Sequence, residues 1–214
     1  MTNTTKIKVV QYMWGDHNRS YELDRKINEA YCQRHGYEYV VKSFPPNKNR
    51  SSHWEKIPAI QQELHHCDFL FYLDADAFFY SHELALENEL LPYLGDKDIL
   101  IAADLASEHL RNHPGLPNTG VIFFRNSESV TELLRIWNES SDNPELDHYR
   151  YERFHEQEAL WRTIWCDHRN SFQLVEDYYL MNGYYGIFIR HLMALSDENR
   201  ITILKTFMEE KNIR

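Results

Sequence analysis

The stretch FLFYLDADAFFY, residues 69–80, decides how the rest of the chain is read. Its first five residues, Phe69 to Leu73, are apolar without alternation, the pattern of a central strand covered on both faces. The run then stops at two carboxylates, Asp74 and Asp76. In open α/β sheets ligands bind outside the C-terminal ends of the strands, which is where these acids fall. Side chains two positions apart on an extended chain point to the same side, so both acids can face one ion. Two carboxylates this close resist joint ionisation unless a cation lies between them. An Asp-rich turn is the plain alternative. The flanking Phe, Leu and Tyr weigh against it, because an unpartnered acid pair beside such an apolar run is costly.

Toward the N-terminus, KIKVVQYMW (6–14) reads as a first strand and GDHNRS as a turn. Leu23, Ile27, Ala30 and Tyr31 recur at helical spacing and predict a helix over about 19–35. His35-Gly36 ends it and YEYVVKS is a second strand, which completes a βαβ unit. The loop FPPNKNRSSH (44–53) is either a solvated surface segment or a mobile flap that brings Lys48 and Arg50 over an anionic ligand. A helix over about 57–66 carries Pro58 in its first turn.

Toward the C-terminus, residues 84–94 have helical Leu spacing, and ILIAAD and GVIFFR read as buried strands. In SESVTELLRIWNES, Ser129 and Glu132 suit a capping box, and Val130, Leu133, Leu134 and Trp137 make one stripe. The polar and aromatic stretch 141–155 is irregular and is the candidate acceptor region. A helix over about 156–166, late strands in FQLVEDYYLM and GIFIRH, and a closing helix over 196–211 complete the pattern. The expected fold is one α/β domain over 1–214, with a mostly parallel central sheet flanked by helices.

Composition narrows the function. The chain has 214 residues, 43% of them hydrophobic and 14% aromatic, enough for a full core. Its 33 acids against 23 bases give a net charge of −10. Nucleic-acid binding through bulk positive charge is therefore not expected. An anionic substrate would need local help, such as a bound cation. Three widely spaced cysteines, Cys32, Cys67 and Cys166, point to reduced thiols. The N-terminal MTNTTKIKVVQYMW lacks a signal pattern, and no apolar run approaches the ~20 residues that span a bilayer. A soluble, cytoplasmic protein is expected.

A divalent ion on Asp74 and Asp76 suits one reaction in particular. When a sugar leaves a nucleotide diphosphate, the diphosphate gains charge, and an ion bridging its oxygens stabilises that charge without a proton transfer.

Five blocks in order carry a resemblance: HWEKIPAI (53–60), YLDADAFF (72–79), NTGVIFFRNSE (118–128), HEQEAL (155–160) and FIRHLMAL (188–195). LDADAFF after an apolar strand resembles the DxD motif of GT-A-fold (Rossmann-like) glycosyltransferases. The ordered blocks resemble the family 34 galactosyl-, xylosyl- and mannosyltransferases. The chain is also similar to a short glycosyltransferase domain encoded by a chlorella virus, which would place its action in a host cell.

The resemblance implies a UDP-sugar donor, a carbohydrate acceptor, Mn²⁺ with Mg²⁺ as the alternative ion, and retention of anomeric configuration. By position, Asp74 and Asp76 match the DxD acids and His191 the late metal-binding histidine. Glu156 and Gln157 match the pair beside the reacting sugar, and ordinary helix-start acids are the alternative reading. Asn118 matches the Asn of the N-x-G block, against a simple turn residue. Lys56 matches the Trp-x-Lys block, where it approaches the diphosphate or a carboxylate, against a surface lysine. Asp104, at another strand end, is a candidate sugar contact, and Tyr12 and Tyr21 are candidates for the uracil. The Lys that family members carry shortly after the late His is missing from HLMALSDENR. Arg190, Arg200, Lys48 and Arg50 are the candidate replacements.

Rival readings are a haloacid-dehalogenase-type phosphatase, a sugar-nucleotide pyrophosphorylase and a non-catalytic sugar-binding module. Phe78 stands where the phosphatase motif wants Thr, and the Gly-rich phosphate loop of the second is absent.

Overall fold

Strand β1 (Ile7–Tyr12), helix α1 (Arg19–His35) and strand β2 (Glu38–Lys42) form the opening unit, with β1 and β2 paired in parallel. Every residue of β1 is buried. Gly36 closes α1 in the left-handed region, φ 74°, where a side chain would be strained. The structure is a computed structural model and describes residues 5–14, 19–104, 116–152, 154–176, 178–193 and 195–213. Helix α2 (Lys56–Leu64) follows a 3₁₀ turn, Ser52–Glu55, which is capped by the Ser51 hydroxyl accepting from His53 N.

The run 69–73 is strand β3 (Phe69–Leu73), parallel to β1. Beyond the two acids a short strand, β4 (Ala77–Phe79), leaves the main sheet. Residues 84–94 are not one helix. Helix α3 (Leu86–Glu89) ends where Pro92 demands a fresh start, and α4 (Leu91–Leu94) begins around that proline. Strand β5 (Ile99–Ala103) pairs antiparallel to β6 (Pro117–Arg125), which starts three residues before the expected GVIFFR. Proline is tolerated there as the first residue of the strand.

Helix α5 (Glu128–Glu139) is capped by Ser127, whose hydroxyl accepts from Val130 N at 3.2 Å, and not by the expected Ser129, which lies inside the helix. The stretch 141–155 holds two 3₁₀ segments, Ser140–Asp142 and Pro144–Arg150. Helix α6 (His155–Leu160) runs on into a π turn, Trp161–Trp165. In FQLVEDYYLM a strand, β7 (Phe172–Val175), is followed by a helix, α7 (Tyr178–Met181). Strand β8 (Ile189–His191) and helix α8 (Asp197–Lys211), capped by Ser196, end the chain.

The central sheet has the order β2-β1-β3-β6-β5-β7. It is mostly parallel, with β6 alone running against its neighbours β3 and β5. Apolar clusters fill both faces, one beneath α2, α5 and α6 and one beneath α1, α3 and α4. The second sheet pairs β4 antiparallel with β8, setting Ala77 opposite His191. Cys32, Cys67 and Cys166 are free thiols. Among the described residues no helix is long and apolar enough to cross a membrane.

Candidate active site

The chain does not stay extended between the two acids. It turns, with Ala77 N donating to Asp74 O at 3.0 Å, so the carboxylates converge through the turn and not through strand alternation. Two buried amides hold that turn from behind. Gln11 Nε2 donates to Asp74 O (2.9 Å) and Ala77 O (3.2 Å), while Asn28 Nδ2 donates to Gln11 Oε1 and Ala77 O, both at 3.0 Å. Asn28 Oδ1 also accepts from Phe79 N at 3.0 Å. These amides from β1 and α1 satisfy backbone groups that a turn inside the core would otherwise leave unpaired.

The β4–β8 ladder delivers His191 to the acids. Its Nε2 lies 3.1 Å from Asp76 Oδ1 and 4.0 Å from Asp74 Oδ2. One ligand atom from each of Asp74, Asp76 and His191 falls within 4.8 Å of the others, as a metal ion would require. Two carboxylates and an imidazole fit a first-row divalent cation. Gly120 makes the approach possible, because a Cβ there would overlap the His191 ring at Cε1, and its carbonyl accepts from Asp74 N at 2.7 Å. Arg200, on α8, donates to Asp76 Oδ2 at 2.7 Å and through Nε to Leu192 O at 3.2 Å. Burial opposes the Asp76 charge, yet His191 and Arg200 outweigh it and hold its pKa down at about 2. His191 responds in kind: burial lowers its pKa, and Asp76 and Asp74 more than offset this, leaving it above the usual imidazole value.

The other end of the site is built on α6 and on a bulge in β6. The β5–β6 register shifts so that Ile101 faces Ile122 while Ala102 faces Asn118, which leaves Thr119, Gly120 and Val121 without a partner on β5. Thr119 N donates to Gln157 Oε1 and Thr119 Oγ1 to Glu156 Oε1, both at 2.9 Å. Gln157 Nε2 reaches Asp104 Oδ2 at 2.8 Å. Asn118 Oδ1 accepts from Gly120 N at 2.9 Å and so shapes the bulge. His155, at the head of α6, has a left-handed φ of 52° and stacks on His53 with centroids 4.2 Å apart. Such strain in a residue other than glycine is characteristic of functional sites.

Lys56 ties the two ends together. It is buried, and its Nζ lies 2.8 Å from both Asp74 Oδ1 and Glu156 Oε1. Burial lowers its pKa, but the two carboxylates reverse the effect and raise it. Of the readings for Lys56, the structure therefore supports the carboxylate partner. Tyr72 adds an O–H donor to Asp74 Oδ1 at 3.1 Å.

All of this opens onto a cavity of about 460 Å³ lined by both ends of the site, with Tyr12, Trp14 and Tyr21 at its border. Tyr12 donates its hydroxyl to Phe44 O at 2.9 Å, and burial pushes its pKa up to about 12. The candidate basic groups separate. Arg200 lines the cavity. Arg50 is fixed elsewhere, paired with Glu55 at 2.9 Å and bonded to Asn138 and Ser141, so it is part of the framework and not a mobile flap cation. Arg190 lies 3.3 Å over the Tyr80 ring. Lys48 offers its carbonyl to Tyr151 and is not among the cavity residues.

Residues 15–114 match the model of the galactosyl transferase GMA12/MNN10 family. A glycosyltransferase involved in the glycosylation of the major capsid of PBCV-1 superposes with a TM-score of 0.74, at 16% identity over 94% of this chain and 99% of its own. The chain has the GT-A glycosyltransferase fold. The galactosyltransferase LgtC, solved with donor and acceptor sugar analogs, shares it at a TM-score of 0.54 and 13% identity, over 93% of this chain and 95% of that one. Mouse xyloside xylosyltransferase 1 does so at 0.55 and 12%, over 88% and 98%. No curated protein matches the chain in sequence at a significant level. Family match and GT-A fold together indicate a glycosyltransferase. The phosphatase and binding-module readings are not favoured, and Asp74, the nucleophile the former needs, has Oδ1 engaged by Lys56 and Tyr72.

Sequence reasoning passed over Gln11, Asn28, Tyr72, Thr119 and Asn182, and had no means of ranking Arg200 above the other cations. Of these, Tyr72 and Thr119 lay inside the five ordered blocks, but a tyrosine in an apolar strand reads as core and a lone threonine between Asn and Gly reads as turn chemistry.

Proposed function

We propose that the protein moves a sugar from a UDP-sugar to a carbohydrate hydroxyl, with a divalent metal ion and with retention of configuration at the anomeric carbon. The observation that carries this reading is the convergence of Asp74, Asp76 and His191 at one end of a cavity whose other end presents Glu156 and Gln157.

Asp74, Asp76 and His191 would hold the ion, and the imidazole among oxygen donors favours Mn²⁺ over Mg²⁺. When bound, such an ion stabilises the charge that grows on the leaving diphosphate. Arg200, fixed on Asp76 and facing the cavity, is the cation of this chain best placed to receive the same diphosphate. It takes the part of the missing Lys. Tyr12 and Tyr21 border the cavity where the uracil would lie, and Trp14 adds an exposed ring beside them. Asp104 and Asn118 line the sugar end. There the Glu156 carboxylate, oriented by Lys56 and Thr119, stabilises positive charge developing at the anomeric carbon. Gln157, held between Thr119 and Asp104, fixes the sugar beside it.

Calorimetric titration with UDP, with and without Mn²⁺, tests the metal dependence. Binding that needs the ion is expected; equal binding after chelation overturns the assignment. A panel of UDP-sugars assayed for Mn²⁺-dependent hydrolysis identifies the donor, and the anomeric configuration of the product by NMR tests retention.

A further inference from the structure

His191 has two ring nitrogens, and only one can serve the ion. Its Nε2 faces Asp76, while its Nδ1 lies 2.8 Å from Oδ1 of Asn182. Asn182 is completely buried, and its own Nδ2 has no hydrogen-bond partner. A buried amide that leaves half its polar capacity unsatisfied is a cost that a leucine of similar size would avoid. What the side chain secures in return is a single contact, to the ring of a candidate metal ligand.

The backbone shows that this contact is built in. Asn182 follows α7, and the next residue, Gly183, forms an isolated parallel bridge to Arg190. Gly183 O also accepts from His191 N at 3.3 Å. The segment carrying the amide is thus pinned alongside the segment carrying the imidazole. At the ring's Cε1, Gly120 approaches so closely that no side chain fits between them. The ring is held by the Gly120 backbone and oriented by the Asn182 amide.

We propose that Asn182 is a positioning residue that fixes the tautomer of His191, keeping the proton on Nδ1 and leaving Nε2 as the metal ligand. With Oδ1 toward the ring, Nδ1–H donates to Asn182 and the Nε2 lone pair points at the ion seat. With the amide reversed, Nδ2 would donate to Nδ1 and the ring proton would sit on Nε2, where it blocks ligation. Hydrogen-bonding the non-ligating nitrogen is the general means by which metal-binding histidines are oriented and made more basic. The inference rests on reading Asp74, Asp76 and His191 as the ion seat, but the tautomer can be measured without an ion.

The test has two arms. In metal-free Asp76→Ala protein with ¹⁵N-labelled histidine, which lacks the carboxylate that otherwise accepts a proton from Nε2, NMR of the neutral ring at alkaline pH should show His191 protonated at Nδ1; protonation at Nε2 overturns the proposal. In the second arm Mn²⁺ alone is titrated calorimetrically. Asn182→Leu should weaken binding about 10–100-fold, whereas Asn182→Asp, which still accepts from Nδ1–H, should bind at least as tightly as native. Native-like binding by Asn182→Leu, or an equal loss in Asn182→Asp, overturns the proposal. Should Asn182→Leu fail to fold, the NMR result and Asn182→Asp still decide. If the native protein binds no Mn²⁺, the ion seat is refuted while the NMR arm continues to report on Asn182.

Discussion

At one end of the cavity Asp74, Asp76 and His191 turn their ligand atoms toward a common point; at the other, Thr119, Glu156, Gln157 and Asp104 close on one another through direct hydrogen bonds. The first end gathers charge that an added cation would complete. The second has its polar atoms joined to each other before any substrate arrives. Such a division suits a transferase, because the leaving group's charge is met by something recruited, whereas the reacting sugar is met by something rigid. Lys56 spans both ends, so the difference between them is not independence.

Breaking the first end should have the largest effect. Asp76→Ala removes a proposed ligand and the partner of Arg200 and His191, and Mn²⁺-dependent donor hydrolysis should fall well beyond the roughly hundredfold cost of losing a ligand's supporting partner. Retained activity would sink the metal assignment.

Cutting the link comes next. Lys56→Met leaves Asp74 and Glu156 without their shared cation, and denaturant unfolding should show a loss of about 3 kcal/mol. Adding Glu156→Gln to that variant should recover part of the stability. If the two effects simply add, Lys56 does not couple the ends.

Glu156→Gln alone probes the second end. We expect kcat to fall about a hundredfold with UDP affinity nearly unchanged, the mark of an interaction made in the transition state. Equal losses in both would move Glu156 into binding.

The pH response should belong to the first end. His191 must be neutral at Nε2 to bind an ion, and its pKa lies above the usual value, so protons compete with metal up to that point. Mn²⁺ affinity should therefore rise with pH by up to about tenfold per unit until His191 has titrated, and level off above. A flat profile through that region would remove His191 from the ligand set. The smallest effect is expected from Tyr72→Phe, which takes one donor from Asp74 Oδ1 and should weaken Mn²⁺ by about 1 kcal/mol or less.

Much of this was legible along the chain. The apolar run 69–73, the acids that end it, the helical stripe of 19–35 and the closing helix all follow from local periodicity, which a strand or helix writes directly into neighbouring residues. Misreadings occurred where a local rule had a rival. Pro92 broke a Leu-rich helix, and Ser127 captured the cap expected of Ser129. The turn at Asp74–Ala77 replaced an extended chain because Gln11 and Asn28, hydrogen-bonded to its backbone, make that turn affordable inside the core.

What the sequence determined by itself was the strand, its two acids and the chemical type of site they imply, because burial pattern and charge are properties of adjacent residues. The tertiary structure alone decided the company those acids keep. His191 lies 115 positions from Asp76 and Arg200 lies 124 away. They arrive there through the β4–β8 ladder and the docking of α8 behind it, and no spacing in the chain encodes which of twelve histidines or several arginines will be carried to that point.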